Sequence, residues 1–384
     1  MSKKKQTLTS GQCADIVDVA GLENDNLAGL RGRIDQLDEQ IQDLLNARAR
    51  CAQQVAEVKK RDAVDGKAVY YRPEREAELL RKVMERNQGP LSNEAVARLF
   101  REIMSESLAL ERVMQIGYLG PAGTFTQAAA LKHFGHAVES LPFNTIDEVF
   151  RELASGAIDY GVVPVENSTE GVVNHTLDSF LESPAKICGE VELRIHQHFL
   201  SAPGQNPEKI KRIYTHQQSL AQCRKWLDTH WSGVEKIAVN SNAEAARRAQ
   251  EEKDSAAIAG DMAAERYQLQ VLSKNIEDNP HNTTRFLIIG NDDVPASGKD
   301  KTSIIVSTKN QPGALYKILA PFHDLSISLT RIETRPAKVG NWSYVFFIDF
   351  AGHINDPSVQ KLWQLLTEEV TEIRALGSYP EAVL

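Results

Sequence analysis

The feature that most constrains the fold is the first apolar repeat. Leu27, Leu30, Ile34, Leu37, Ile41, Leu44, Cys51, Val55 and Val58 recur in steps built from three and four, the spacing that lines one face of an α-helix. No proline interrupts the run, so it predicts a single long amphipathic helix. A second helix opens near Pro73, whose missing N–H suits a first turn, and continues through Leu79, Leu80 and Val83 until Gly89 and Pro90 stop it. Ser92 caps a third, carrying Val96, Leu99, Phe100, Ile103 and Leu110. Three helices, the first far longer than the others, leave an apolar seam that one chain cannot cover, so a homodimer or higher homo-oligomer is expected.

The pattern changes at residue 115. From there to residue 291, short β-rich runs alternate with helical ones, which is α/β organisation. Residues 292–302, rich in Asp, Lys, Gly, Pro and Ser, read as a linker. Residues 303–384 follow the order strand, helix, strand, strand, helix, strand, a small ferredoxin-like α+β sandwich. Residues 1–24 lack periodicity and read as a disordered extension. The expectation is a multidomain chain: all-α over residues 25–114, α/β over 115–291, and α+β at the end.

Bulk properties narrow the function. No run approaches the roughly 18 apolar residues of a membrane span, and no apolar core follows the first lysines, so a cytoplasmic protein, neither membrane-bound nor secreted, is expected. Cys13, Cys51, Cys188 and Cys223 stand far apart without metal-ligand spacing, which suggests neither a metal nor a disulfide framework. A net charge of -8 argues against nucleic acid as a partner. An anionic substrate would then require local clusters of cations.

Such a cluster occurs in the helical segment. Stepping on from Leu44 lands on Arg48, a cation on the buried seam that is costly unless neutralised. Lys59, about three turns on, projects from much the same side. Ser107 and Glu111, one turn apart, interrupt the third helix's apolar face. These groups fit either a structural ion pair between Arg48 and Glu111 or a polar cavity. Together with Leu30-Arg31, Leu37-Asp38 and the Arg72-Pro73-Glu74-Arg75-Glu76 run, they resemble the all-helical chorismate mutase family. The resemblance implies that Arg31, Arg48, Lys59, Arg75, Glu76, Ser107 and Glu111 line a site, with Arg72 and Glu111 standing where some members carry an acidic residue and a glutamine. The rearrangement needs no nucleophile, base or metal. Arg31 and Arg48 suit two carboxylates, and Lys59 with a protonated Glu111 suits the ether oxygen. Arg31 and Arg48 lie 17 residues apart, roughly 25 Å along a straight helix. One small ligand cannot reach both on one chain, so Arg31 is expected to serve the site of a partner chain.

In the α/β segment, residues 120–126 (GPAGTFT) follow a strand and open a helix, where free backbone N–H groups either meet an anion or form a tight turn. Residues 166–171 (ENSTEG) and 216–223 (HQQSLAQC) end other strands. His216 and Cys223 are too far apart along a helix to suggest thiol catalysis. Residues 282–286 (NTTRF) open the last apolar strand. These four runs, with Phe125 and Asn174-His175, resemble the prephenate dehydratase family over almost all of residues 115–291, with Thr284-Arg285-Phe286 the most specific mark. That resemblance implies two α/β subdomains similar to a periplasmic binding protein, with the site in the cleft between them. Thr284 would aid departure of the ring hydroxyl, while Thr124, Asn167, Ser168, Ser219 and Arg285, beside Phe286, bind substrate. No cofactor is needed, because aromatisation drives the reaction.

In the last segment, Asn310, Gly313, Ala314 and Leu315 join a strand to a helix, and Glu333, Thr334 and Arg335 end the next strand. Both resemble the amino-acid-binding ACT domain, with Thr334 replacing a serine. The implied effector is phenylalanine, at a dimer interface. These expectations describe a bifunctional enzyme of phenylalanine biosynthesis, inhibited by its end product. The alternatives are an arogenate dehydratase, or a non-catalytic amino-acid sensor.

Overall fold

The computed structural model describes residues 26–62, 70–309, 311–336 and 344–383. Contacts divide the chain into two units, residues 1–68 and 69–384. The described part of the first is one helix, α1 (Leu27–Asp62). Asn26 Oδ1 accepts from the Gly29 N–H at its start, and Lys59, Lys60 and Arg61 complement the dipole at its end. Ile34, Ile41, Leu44, Val55 and Val58 of the predicted face are exposed on it.

The second unit opens with α2 (Pro73–Glu85) and α3 (Asn93–Ala109). Pro73 starts α2, and the Ser92 hydroxyl oxygen accepts from the Ala95 N–H at 3.1 Å to cap α3. The chain then builds β1 (Gln115–Leu119), α4 (Phe125–Phe134), β2 (Glu139–Phe143), α5 (Ile146–Ser155), β3 (Tyr160–Asn167), β4 (Gly171–Val172), α6 (Asn174–Glu182) and β5 (Lys186–Arg194). A second α/β layer follows: β6 (His198–Ser201), β7 (Arg212–His216), α7 (Gln217–Gln222), α8 (Arg224–His230), β8 (Glu235–Val239), α9 (Asn242–Glu251), β9 (Ser255–Ala259), α10 (Asp261–Arg266) and β10 (Gln270–Ser273). The chain then returns to the first sheet as β11 (Thr283–Gly290). The sheet orders are β2-β1-β3-β11-β5, with β4 on β3, and β10-β6-β9-β7-β8. Two crossings therefore join two lobes, as expected, with a cleft between them.

The final segment is β12 (Asp300–Thr308), α11 (Ala314–Asp324), β13 (Leu329–Pro336), β14 (Tyr344–Ala351), α12 (Pro357–Glu369) and β15 (Glu372–Pro380), in sheet order β13-β14-β12-β15. This is the expected ferredoxin-like topology. β13 starts later than its apolar run suggests, because Ser326 adopts a positive φ of 54° and Ile327 N–H still bonds back to Phe322. Successive strand residues face opposite sides. Ile304, Val306, Phe346 and Ile348 pack beneath α11 and α12. Ile305, Val345 and Phe347 pack with Ile187, Leu287 and Ile289 of the first lobe. Both faces of this sheet are thus covered.

The linker expectation for residues 292–302 is corrected accordingly. The Arg81 guanidinium of α2 donates to the Ser297 and Lys299 carbonyls, the His353 ring bonds the Val294 carbonyl, and β12 already begins at Asp300. A segment with these bonds and a packed domain beyond it is not a free tether.

Candidate functional site

The cleft between the lobes holds about 740 Å³ of atom-free space. From the first lobe it is lined by Thr124 and Phe125 at the start of α4, Asn167 at the end of β3, and Thr284 at the start of β11. From the second come His216 and Ser219 around the start of α7, and Asn242 at the start of α9. Strands end at this edge and helices begin there, so free N–H groups converge on it. Thr124 makes no side-chain cap to α4, which leaves the first N–H groups of that helix available.

Thr284 is buried, 9% exposed. The Asn167 amide donates to its Oγ1 at 2.7 Å and to Asn282 Oδ1 at 2.9 Å. Asn167 Oδ1 in turn accepts from the Thr169 and Glu170 N–H groups, which fixes the amide's orientation. With its acceptor side filled by Asn167, the Thr284 hydroxyl has its own proton to give. Ser168 sits just behind, its hydroxyl oxygen accepting from the Thr283 N–H at 3.0 Å. Across the cleft, Ser219 Oγ accepts from Gln197 at 3.0 Å and from Asn242 at 2.8 Å, so it too is left as a donor.

The His216 tautomer is also defined: its Nδ1 accepts from the Gln218 N–H, and burial lowers its pKa, with Glu170 opposing. Neutral His216 therefore carries its proton on Nε2. Cys223 is fully buried and burial pushes its thiol up, away from thiolate chemistry.

The cleft thus unites Thr124, Asn167, Ser219 and Thr284, with Ser168 adjoining. Two expected substrate contacts lie elsewhere. Phe286 is 2% exposed in the core with Ile116 and Tyr118. Arg285 points to the opposite face of β11, where Glu190, Asp349 and Tyr379 hold it. For Arg285 the reason is the strand period of two: if Thr284 faces the cleft, its neighbour cannot. Sequence reading missed Gln197 and Asn242. The signal was present in polar His196-Gln197-His198 at a lobe crossing and in Asn240-Ser241-Asn242 directly after β8.

A second pocket lies on the last domain. Gly313, Ala314, Leu315 and Thr334 line it, with Tyr316 and Tyr344. Gly313, at φ 81°, starts α11 in the left-handed region that glycine tolerates. Glu333 and Arg335 alternate away from Thr334 on β13; Arg335 makes a two-pronged bond to Asp178 of α6 instead. Asn310 lies outside the described residues.

The remaining expected residues are distributed over the helices. On α1, Arg31 is exposed, and Arg48 and Lys59 are half-buried. Within the second unit, Arg75 is exposed and Glu76 lies 3.5 Å from Arg101, with burial raising its pKa and Arg101 opposing. Arg72 pairs with Glu74 at 2.6 Å. Ser107 is buried and donates to the Ile103 carbonyl, while Glu111 follows α3 in a turn.

Among the described residues no group of His, Cys, Asp and Glu has metal-binding geometry, and no helix is long and apolar enough to cross a membrane.

The chorismate mutase type II profile matches residues 30–112, the prephenate dehydratase profile residues 116–294, and the ACT domain profile residues 302–364. A bifunctional chorismate mutase/prephenate dehydratase of Pseudomonas aeruginosa is 61% identical over 94% of this chain and 100% of its own length. One from Aquifex aeolicus is 43% identical over 94% of this chain and 99% of its own. The solved prephenate dehydratase of Arthrobacter aurescens in complex with L-Phe, 34% identical, superposes with a TM-score of 0.65 over 70% of this chain and 90% of that one. Three matched segments in this order, and identity that extends through all of them, mean that the chain belongs to the family of bifunctional chorismate mutase/prephenate dehydratases, the enzymes that carry chorismate through prephenate to phenylpyruvate under feedback by phenylalanine.

Proposed function

We propose that prephenate is dehydrated in the inter-lobe cleft with Thr284 as the hydrogen donor to the departing ring hydroxyl. Loss of CO2 leaves its bonding electrons in the ring, the C–O bond breaks, and the hydroxyl leaves as water with a proton relayed through Thr284. The single observation carrying this reading is the Asn167 amide on Thr284 Oγ1 at 2.7 Å, which aligns the hydroxyl and leaves its proton unspent. The substrate's carboxylates meet neutral donors here: Ser219, Asn242 and the uncapped N–H groups at the start of α4. Helix N-termini and hydroxyls bind an anion without a cation's desolvation cost. Prephenate is favoured over arogenate because the attached mutase produces it.

For the mutase reaction, family resemblance assigns roles to Arg48, Lys59, Arg75, Glu76, Ser107 and Glu111, with Arg31 supplied by a second copy. The separation of Arg31 from Arg48 along one helix and the exposed apolar face of α1 support that dimer. Phenylalanine is the ligand of the pocket around Gly313 and Thr334, with a second copy completing it.

The test is Thr284→Val, near-isosteric but without the hydroxyl. Phenylpyruvate formation from prephenate should fall on the order of 10²- to 10³-fold, the loss typical of one catalytic donor, while chorismate consumption is unchanged. Full dehydration by a folded Thr284→Val enzyme ends this assignment.

A further inference from the structure

A buried ionic cluster joins the dehydratase lobe to the sensor sheet, and it sits one residue from Thr284. Arg285 of β11 donates from Nε to Glu190 of β5 at 2.8 Å, from Nη1 to Asp349 of β14 at 2.7 Å, and from Nη2 to the Tyr379 hydroxyl of β15 at 3.0 Å. Lys301 of β12 reaches the other Glu190 oxygen at 2.7 Å. Ser303 of β12 donates to Asp349 at 2.6 Å and bonds Tyr379 at 2.8 Å. Two cations thus face two carboxylates, and the charge closes to zero. The side chains are nearly sealed from water, with Arg285 at 11%, Asp349 at 7% and Glu190 at 1% exposure.

Buried charges of this kind are a poor source of stability, because desolvation consumes most of the Coulomb gain, but they specify geometry and are costly to unbalance. Burial alone would lower the Arg285 pKa, yet the net direction is upward under Tyr379, Asp349 and Glu190, so the guanidinium stays charged. The backbone adds a local device. The pairing of β11 with β3 shifts register between Arg285 and Phe286, so the strand is irregular where it delivers Thr284 to the cleft. An irregular strand end needs an external anchor to hold one orientation. The Arg285 fork, gripped by two strands of the sensor sheet, is such an anchor.

We propose that Arg285 is a positioning residue that fixes β11, and with it the Thr284 hydroxyl, against the sensor domain, so that dehydratase geometry depends on Asp349 and Tyr379 of that domain. The proposal rests on Thr284 being the proton donor. It replaces direct carboxylate binding by Arg285 and gives the sensor a bonded route to the catalytic strand.

The experiment uses the full-length chain with Asp349→Asn, Tyr379→Phe and Arg285→Lys. Dehydratase kcat and KM for prephenate, mutase rate and thermal unfolding are measured for each, with Thr284→Val alongside. Asp349→Asn is expected to lower dehydratase kcat by about tenfold with KM within about twofold, at a temperature where the variant is fully folded and its mutase rate is normal. Arg285→Lys should follow the same pattern, and Tyr379→Phe should do so more weakly. A merely structural cluster would lower the unfolding temperature and leave kcat of the folded enzyme at the wild-type value, and that result overturns the proposal. So does a normal Asp349→Asn beside an Arg285→Lys enzyme whose KM rises strongly, since Arg285 would then be a substrate ligand. If Thr284→Val retains full activity, the underlying catalytic assignment has failed, an outcome distinct from either.

Discussion

At the scale of single residues, most of what matters lies in groups whose protonation or donor state is set by neighbours far away in sequence. His133 is an example that chemistry does not use. Its ring nitrogen Nε2 lies 3.0 Å from the Tyr71 hydroxyl, and burial holds its pKa well below the ordinary 6.5, with Arg101 adding to the effect. The unfolded chain therefore binds a proton near pH 6.5 that the native state refuses. Stability is full above that value and is lost as pH falls toward the depressed one, with a slope of at most about 1.4 kcal/mol per pH unit for one proton. Glu76 in the same region is shifted upward by burial and acts in the opposite sense, gaining stability as pH falls toward 4.5. The comparison must therefore be between proteins rather than between pH values alone. His133→Gln keeps a donor and an acceptor but cannot titrate, so thermal unfolding between pH 7.5 and 5.5 should be less pH-dependent in the variant than in the wild type. Equal dependence in both would show that His133 titrates normally.

At the scale of elements, two strands and one helix illustrate how far pattern reading reaches. The three-four spacing of α1 located that helix to within a few residues, because a 36-residue amphipathic run without proline has no competing structure. Its exposed face carries a consequence. Ile41 is 53% and Leu44 70% exposed, an apolar surface that a soluble chain covers by association. Ile41→Glu should convert the assembly to a smaller species in analytical ultracentrifugation and abolish mutase activity, because Arg31 of the second copy is lost, while dehydration of prephenate persists. An Ile41→Glu protein of unchanged mass and mutase rate would remove α1 as the dimer seam. Strands were legible as elements but not as surfaces. For β11 and β13 the alternation was visible in the sequence, yet which face meets the cleft or the effector pocket was not, and so Arg285 and Arg335 were assigned to ligands when they grip Asp349 and Asp178.

At the scale of the whole molecule, the last domain differs most from expectation in how it is attached. Read as a segment behind a linker, it is removable; packed through Ile305, Val345 and Phe347 onto Ile187 and Leu287, it completes the first lobe's core. Gly377 of β15 lies so close to the Ile187 carbonyl oxygen that a Cβ there would overlap it. A chain ending at Asp293 should therefore unfold at a lower temperature, expose apolar surface to a hydrophobic dye, and dehydrate prephenate more slowly, besides losing its response to phenylalanine. Undiminished stability and rate in that truncated chain would contradict the shared core. The sequence by itself determined the order of the three segments, the class of each, and the polar runs that end their strands, because periodicity, capping and turn chemistry act over a few residues. Only the tertiary structure decided that Arg285 bonds Glu190, Asp349 and Tyr379 on the face of its strand away from the cleft and that residues 292–302 are bonded in place. Those outcomes depend on which surfaces meet across long sequence separations, and a strand's own pattern specifies two faces without naming the neighbour of either.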